Sequence, residues 1–91
     1  MNEPLDPSRA HQLARSILRD GVVSYSTHAA EEMAKDHLVM VDCVNVIRGG
    51  VVEPAEMMNG TWRYRIRTNR IVVVIAFRSE TELRVITAWR M

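Results

Sequence analysis

The sequence predicts an α+β domain in which N-terminal helices pack on one face of a C-terminal antiparallel β-meander. Two observations support this prediction. Apolar residues recur at helical spacing in the first fifty residues, and from residue 51 onward they alternate with polar residues at the period of a β-strand. Tight-turn signals separate the later segments, which is typical of strands that pair with their sequence neighbours.

The first predicted helix begins after Asp6, which is a capping residue, and Pro7 suits its first position. Apolar residues at helical spacing then run to Leu18, and Gly21 is expected to end the helix in a left-handed conformation. Residues 22–26 are short, β-branched and aromatic, so we expect them to be extended.

Two more helices are expected before residue 51. Ser26 or Thr27 can cap a helix that runs to about Asp36. A third helix is predicted to end at Gly49 and Gly50. The residues expected to be buried are Ala30, Met33, Ala34 and His37 in the second helix and Met40, Cys43, Val44 and Ile47 in the third.

The rest of the chain is predicted to form strands. Pro54 interrupts residues 51–58, which places that segment at a sheet edge or makes it irregular. Asn59 and Gly60 form the strongest hairpin signal in the chain. The strands expected after this turn span residues 61–68, 71–77 and 83–89, and the middle one is apolar on both faces, as a central strand is.

The whole chain, residues 1–91, is expected to be a single domain, because a chain of this length buries one core. The longest apolar run has seven residues and no secretory signal is recognisable, so we expect no membrane span and a cytoplasmic location. Cys43 is the only cysteine, and no histidine pair has the spacing of metal ligands. We therefore expect neither a metal nor a cofactor.

The basic side chains are concentrated in the later part of the chain. The first 58 residues carry five basic and nine acidic side chains, whereas the rest carry seven arginines and two acids. Three of these arginines, Arg63, Arg65 and Arg67, project from one face of a single predicted strand, about 6.8 Å apart. Arg84 extends this patch if the last strand lies nearby. Arginine forks suit phosphate groups, so a phosphate-bearing partner is one interpretation and a solvated sheet face is the other.

His28 stands where an extended segment gives way to the second helix. Its helical phase points away from the expected buried stripe, so packing explains it least. In the first turn, the unpaired N–H groups and the helix dipole disfavour a protonated imidazole and favour an anion. Capping or surface hydrogen bonding is the alternative to acid–base chemistry.

A neutral histidine together with several arginines suggests cleavage of RNA without a metal. A base takes the proton of the 2′-OH, cations stabilise the charged phosphorane, and an acid protonates the leaving 5′-oxygen. His28 is the candidate base or acid, and Arg63 and Arg65 are candidates for holding the phosphate. Tyr64 or Thr87 is the candidate hydrogen-bond donor. Further contacts with the substrate are expected from Arg65, Arg67 and Arg84.

The segment YSTHAAEEM resembles the Ser-x-His-Ala-x-x-x-Met signature of a bacterial family of unknown function that is grouped with RelE-like and MqsR-like toxins. The order of the later motifs, VIRGG, NGTWRYRIR and VITAW, is also similar. The resemblance implies a RelE-like or barnase-like fold, metal-independent endoribonuclease activity and a cognate antitoxin as partner. It implies catalytic roles for His28, Arg63, Tyr64 and Thr87. Glu32 and Asp36 depart from the pattern, since that family usually has basic residues there.

Two other functions fit the same residues. A non-catalytic module can use the arginine-rich sheet face to hold nucleic acid or an acidic protein, with salt-sensitive binding and no cleavage. An interaction domain can pair its open edge strand, near residues 51–58, with a partner. The leading prediction remains the RNA-cleaving toxin.

Overall fold

Three helices precede the main strands, as the sequence predicts. The computed structural model describes residues 1–91 and confirms the α+β class. The helices are α1 (Pro7–Asp20), α2 (Thr27–Lys35) and α3 (Met40–Gly49). The strands are β1 (Val22–Tyr25), β2 (Val51–Val52), β3 (Glu56–Met58), β4 (Thr61–Arg67), β5 (Ile71–Ser79) and β6 (Glu82–Arg90).

The six strands form a mixed sheet rather than a purely antiparallel one. Its order is β1-β6-β5-β4-β2, and β3 pairs with the first half of β4. All pairs among β2 to β6 are antiparallel, but β1 lies parallel to β6, with Val22 opposite Glu82. The predicted meander is therefore correct for the later strands and incomplete at this edge. A strand of four residues carries no signal for the direction of its partner.

The helices cover one face of the sheet, which we call the helix face. Side chains from α1, α2 and α3 pack there against Tyr64 and Ile66 of β4 and against the odd-numbered positions of β5. The other side, which we call the open face, carries the side chains that pair across β4, β5 and β6 in three rows. These are Arg63, Arg65 and Arg67 of β4, Val72, Val74 and Ala76 of β5, and Arg84, Thr87 and Trp89 of β6.

Gly21 ends α1 in an extended conformation, with φ −117° and ψ −155°, so the predicted left-handed ending is wrong. Glycine is needed there for space. A Cβ atom at residue 21 would lie 2.3 Å from the backbone oxygen of Thr81. The next residue, Val22, donates its N–H to that same oxygen at 2.9 Å. The close approach therefore joins the end of α1 and the start of β1 to the turn between β5 and β6.

Ser26 caps α2, because its Oγ accepts a hydrogen bond from the N–H of Ala29 at 2.9 Å. The buried side chains of α2 are Ala29 and Met33, whereas Ala30 and Ala34 are exposed. His37 is also exposed, in a left-handed conformation just after the helix. The prediction is therefore correct for Met33 and wrong for Ala30, Ala34 and His37, and the buried alanine is Ala29 instead. Ala29 and Ala30 are neighbours in this helix, and helical spacing alone does not decide which of the two faces the core.

In α3 the buried residues are Cys43, Val46 and Ile47, so the prediction is confirmed for Cys43 and Ile47 and wrong for Met40 and Val44. Met40 is 61% exposed rather than buried, because it lies in the first turn of α3, beyond the reach of the sheet. Val44 is half-buried.

The remaining turns and edges follow the sequence. Asn59 and Gly60 both have positive φ, 52° and 77°, which is the geometry of a two-residue hairpin turn. Residues 72–77 of β5 are all buried, as expected for a central strand. Pro54 separates β2 from β3, and both short strands lie at the edge beside β4. No helix combines the length and the apolar character that crossing a membrane requires.

Candidate nucleic-acid interface on the open face

The strand register places the arginines of the open face beside small or apolar residues of β5. Arg65 lies opposite Val74, which in turn lies opposite Thr87 on β6. Tyr64 pairs with Ile75, so Arg63, one residue earlier on β4, lies beside Ala76. The partner of Ala76 on β6 is Arg84. Because the central residues are short, the long side chains on both flanks can converge above them.

A cavity of about 200 Å³ opens on this face. Arg63, Arg65 and Thr87 line it, with Val74 at its base. Thr87 is positioned by an irregularity in β6, where the pairing of Val74 with Thr87 is followed by that of Ile75 with Val85. The further lining residues are Pro54, Glu56, Met58 and Trp89. The sequence-based candidates Arg63, Arg65 and Thr87 are therefore brought together at one cavity.

Arg63 and Arg84 have unusual surroundings for charged side chains. The Nε atom of each is buried and has no hydrogen-bond partner. The nearest polar contact of Arg63 is the weak one from its Nη1 to Met58 Sδ, at 3.6 Å. A buried N–H without an acceptor costs about 1–3 kcal/mol, and a guanidinium does not lose its charge to avoid that cost. An anion bound at this position would supply the missing acceptors.

Arg63 and Arg65, which line the cavity, form no ion pair with an acid, and neither does Arg84 on the same face. The four ion pairs of the structure include neither Arg63, Arg65 nor Arg84. Arg65 instead places its guanidinium carbon 5.8 Å from the ring centroid of Trp89, within the range of a cation–π contact. This contact orients Arg65 along the open face and leaves its charge available to a ligand.

Arg67 differs from its neighbours on β4. Its Nε donates to Glu53 Oε1 at 3.0 Å, and the two side chains form an ion pair. Arg90 is also engaged, because its backbone N–H donates to Asp36 Oδ2 at 2.7 Å and its Nε donates to the carbonyl of Asp36. The sequence suggested three equivalent arginines on β4. In the structure Arg67 is in an ion pair with Glu53, whereas Arg63 and Arg65 are in none.

Tyr64 is not part of this cavity. Its side chain is 0% exposed and lies on the helix face, with its ring 5.1 Å from that of Phe77. The hydroxyl donates to Glu3 Oε2 and accepts the N–H of Leu5, both at 2.9 Å. Burial is the main cause that raises the pKa of Tyr64 to about 12. The expected catalytic role beside Arg63 is corrected accordingly, because adjacent residues of a strand point to opposite faces.

His28 is exposed in the first turn of α2 and does not line the cavity. Both ends of α2 are tied to β6. Ser26 donates its Oγ–H to the carbonyl of Ile86 at 2.8 Å at one end, and Asp36 binds Arg90 at the other. His28 therefore belongs to the edge of the sheet next to β6, near the residue that precedes Thr87, and not to the group around Arg63 and Arg65.

Among the lining residues that the sequence did not suggest for the site, Glu56 and Trp89 are the two that carry a charged or an aromatic group. Glu56 lies opposite Arg63 in the pairing of β3 with β4. The Asn59-Gly60 turn was enough to predict that Glu56 lies opposite Arg63, because a two-residue turn there fixes which residues of the two strands pair. The irregularity in β6 turns Trp89 to the open face, where it lies opposite Val72. Nothing in the sequence marks that irregularity.

No group of three or more His, Cys, Asp or Glu side chains is arranged to hold a metal ion. The charged, polar and aromatic groups that line the cavity are two arginines, one carboxylate, one hydroxyl and an indole. A comparison of the chain with protein-family models, curated proteins and solved structures finds no match.

Proposed function

We propose that this chain is a cytoplasmic RelE-like or barnase-like toxin that binds RNA across the open face and cleaves it without a metal, and that a cognate antitoxin neutralises it. The observation that carries the proposal is the group of Arg63, Arg65 and Arg84. Arg63 and Arg65 line one cavity, and Arg84 lies on the same face opposite Ala76. None of the three forms an ion pair, and the Nε atoms of Arg63 and Arg84 are buried without an acceptor.

RNA is the phosphate-bearing partner that this surface favours. Successive phosphates meet successive arginine forks along β4, and each fork can form two parallel hydrogen bonds with phosphate oxygens. Trp89 adds an aromatic surface at the same cavity, on which an unpaired base can stack. A single-stranded substrate uses both features, whereas the stacked bases of a duplex are not accessible to an indole.

The cleavage part of the proposal assigns charge stabilisation to Arg63 and Arg65 and a hydrogen bond to Thr87. His28 is assigned the acid–base chemistry. It lies in the first turn of α2, beside β6 and outside the cavity lining, so the RNA chain must extend from the cavity past β6 to reach it. This role is supported by the attachment of Ser26 to Ile86, since that hydrogen bond holds the first turn of α2 beside the strand that carries Thr87. It is also supported by the resemblance of STHA to the toxin signature.

The proposal is tested with a short single-stranded RNA in the presence of EDTA. We expect cleavage that leaves a 2′,3′-cyclic phosphate and a 5′-hydroxyl. Arg63→Gln and Arg65→Gln are each expected to lower the cleavage rate roughly a hundredfold, as does the loss of a donor that stabilises a charged transition state. Arg19→Gln, an exposed arginine of α1, is the control with the same change of charge. Intact RNA, or full activity in His28→Ala, would contradict the proposed mechanism.

A second function is favoured by one observation, the absence of His28 from the cavity lining. In this alternative the open face binds nucleic acid or an acidic protein segment and performs no chemistry. It predicts that the wild-type protein retains RNA with steep salt dependence but does not cut it, and that His28→Ala leaves binding unchanged.

A further inference from the structure

We infer that Met58 is a modification site: a peroxide oxidises its thioether to the sulfoxide, which occupies Arg63 and weakens the binding of RNA. The inference rests on the RNA binding proposed above. Met58 lines the cavity together with Arg63 and Arg65. Its Sδ accepts a hydrogen bond from Arg63 Nη1 at 3.6 Å, the only hydrogen bond of the Arg63 side chain. The oxidised atom is therefore the one that faces an arginine of the cavity.

A small oxidant can reach Met58. The residue is 51% exposed and ends β3, just before the Asn59-Gly60 turn. Thioethers in contact with solvent are common targets of oxidation to the sulfoxide. Met33, by contrast, is 6% exposed in the core and is shielded from such a reagent. Peroxide should therefore oxidise Met58 in the folded protein.

A sulfoxide binds an arginine more strongly than a thioether does. Thioether sulfur is a weak acceptor, whereas oxidation makes the side chain polar and adds an oxygen that accepts hydrogen bonds. The guanidinium of Arg63 has no stronger acceptor, and its Nε is buried without a partner. The flexible side chain of Met58 can turn the new oxygen toward these N–H groups. An RNA phosphate then competes for Arg63 with an acceptor that belongs to the protein.

The neighbouring Met57 has the same exposure and the opposite orientation. It is 52% exposed and pairs with Trp62, whereas Met58 pairs with Thr61. Because adjacent residues of a strand point to opposite faces, Met57 points away from the open face and does not line the cavity. Exposure alone therefore does not distinguish Met58. Its contact with Arg63 does, and Met57 provides a matched control on the same strand.

The modification balances with hydrogen peroxide as the oxidant. A lone pair of the Met58 sulfur forms a bond to one peroxide oxygen, and the oxygen–oxygen bond breaks. The sulfur is oxidised by two electrons, and the second oxygen takes the proton of the first and leaves as water. Methionine sulfoxide reductases, one for each epimer of the sulfoxide, reverse the change. The modification is therefore reversible.

The test treats the full chain with hydrogen peroxide and measures the oxidation of each methionine by mass spectrometry. The binding probe is a fully 2′-O-methylated single-stranded RNA, which lacks the attacking hydroxyl and stays intact. We expect its Kd to rise about tenfold on oxidation, as for the loss of one hydrogen bond to a charged group, and to recover after treatment with both reductases. Met58→Leu should abolish the rise, whereas Met57→Leu should retain it.

Arg63→Leu shows whether the sulfoxide acts through Arg63. This variant should bind the probe more weakly from the start, and oxidation should leave its Kd unchanged. Circular dichroism melting confirms that all variants are folded.

A wild type whose Kd is the same before and after oxidation of Met58, or a rise that persists in Met58→Leu, overturns the inference alone. So does a peroxide treatment that oxidises Met57 and spares Met58. A protein that binds RNA but never cleaves it contradicts the proposed cleavage and leaves the role of Met58 in place. A wild type that does not bind RNA overturns this inference together with the proposed function.

Discussion

Arg63 and Arg84 lie on either side of Ala76 on the open face, and the Nε of each is buried without a hydrogen-bond partner. Neither side chain forms an ion pair. Two like charges arranged in this way lower the stability of a protein that has no ligand, and they strengthen its attraction for an anion. The pair is therefore better explained by a ligand than by the fold.

The salt dependence of RNA binding should reveal how many of these arginines contact phosphate. For a 2′-O-methylated single strand, the slope of log Kd against log salt is expected to decrease by about 0.7 for each contact that is lost. Arg63→Gln and Arg84→Gln should each show this decrease and weaken binding about tenfold or more at low salt. Arg67→Gln should have a smaller effect, because Glu53 already neutralises that charge. Equal slopes in all three variants would indicate a diffuse charge effect instead.

Replacing Arg84 by methionine should stabilise the free protein. Methionine keeps much of the apolar stem and removes a buried N–H that lacks an acceptor, so the free energy of unfolding is expected to rise by about 1 kcal/mol. Urea unfolding at equilibrium measures this change, and the same variant should bind RNA more weakly. A decrease in stability would mean that the Arg84 head group supports the fold, which the absence of partners argues against.

Tyr64→Phe separates a structural role from a catalytic one. The hydroxyl joins the N-terminal segment to the core through Glu3 and Leu5, and we expect its removal to cost about 1 kcal/mol of unfolding free energy. RNA cleavage measured well below the melting temperature should be unchanged, because Tyr64 points away from the open face. A large loss of cleavage at unchanged stability would restore Tyr64 to the catalytic group.

The element types and the turn at Asn59-Gly60 were predictable because they depend on local patterns. The direction of β1 was not predictable, since its partner β6 is separated from it by most of the chain. The exact buried faces of α2 and α3 depend on how each helix meets the sheet, so Met33, Cys43 and Ile47 were predicted correctly whereas Ala29 and Val46 were not. At the site, alternation along β4 correctly separated Arg63 and Arg65 from the core. The same alternation already placed Tyr64 on the other face, in conflict with the donor role that both the reaction chemistry and the toxin resemblance suggested for it.

Glycines 21 and 49 should respond in opposite ways to replacement by alanine. A Cβ at Gly21 would lie 2.3 Å from the Thr81 oxygen, so the backbone of α1 or of the β5–β6 turn must move. We expect Gly21→Ala to lower the free energy of unfolding by roughly 2–3 kcal/mol, in the range of overpacked sites. Gly49→Ala meets nothing within 4 Å and lies in the last turn of α3, so it should be neutral or stabilising by up to about 1 kcal/mol. Thermal unfolding of the two variants compares them directly.

Cys43 should make stability decrease at high pH. The thiol is buried beside Met33, 3.9 Å from its sulfur, and this burial raises the pKa of Cys43 from 9.0 to about 11. Because the folded state holds the thiol proton more tightly than the unfolded state, the resulting stabilisation is complete below pH 9 and is lost as the pH rises through 11. The thiol contributes a slope of up to about 1.4 kcal/mol per pH unit in that interval. Urea unfolding of the wild type and Cys43→Ala at pH 8 and pH 10.5 isolates this contribution from those of the tyrosines, and equal losses in both proteins would refute it.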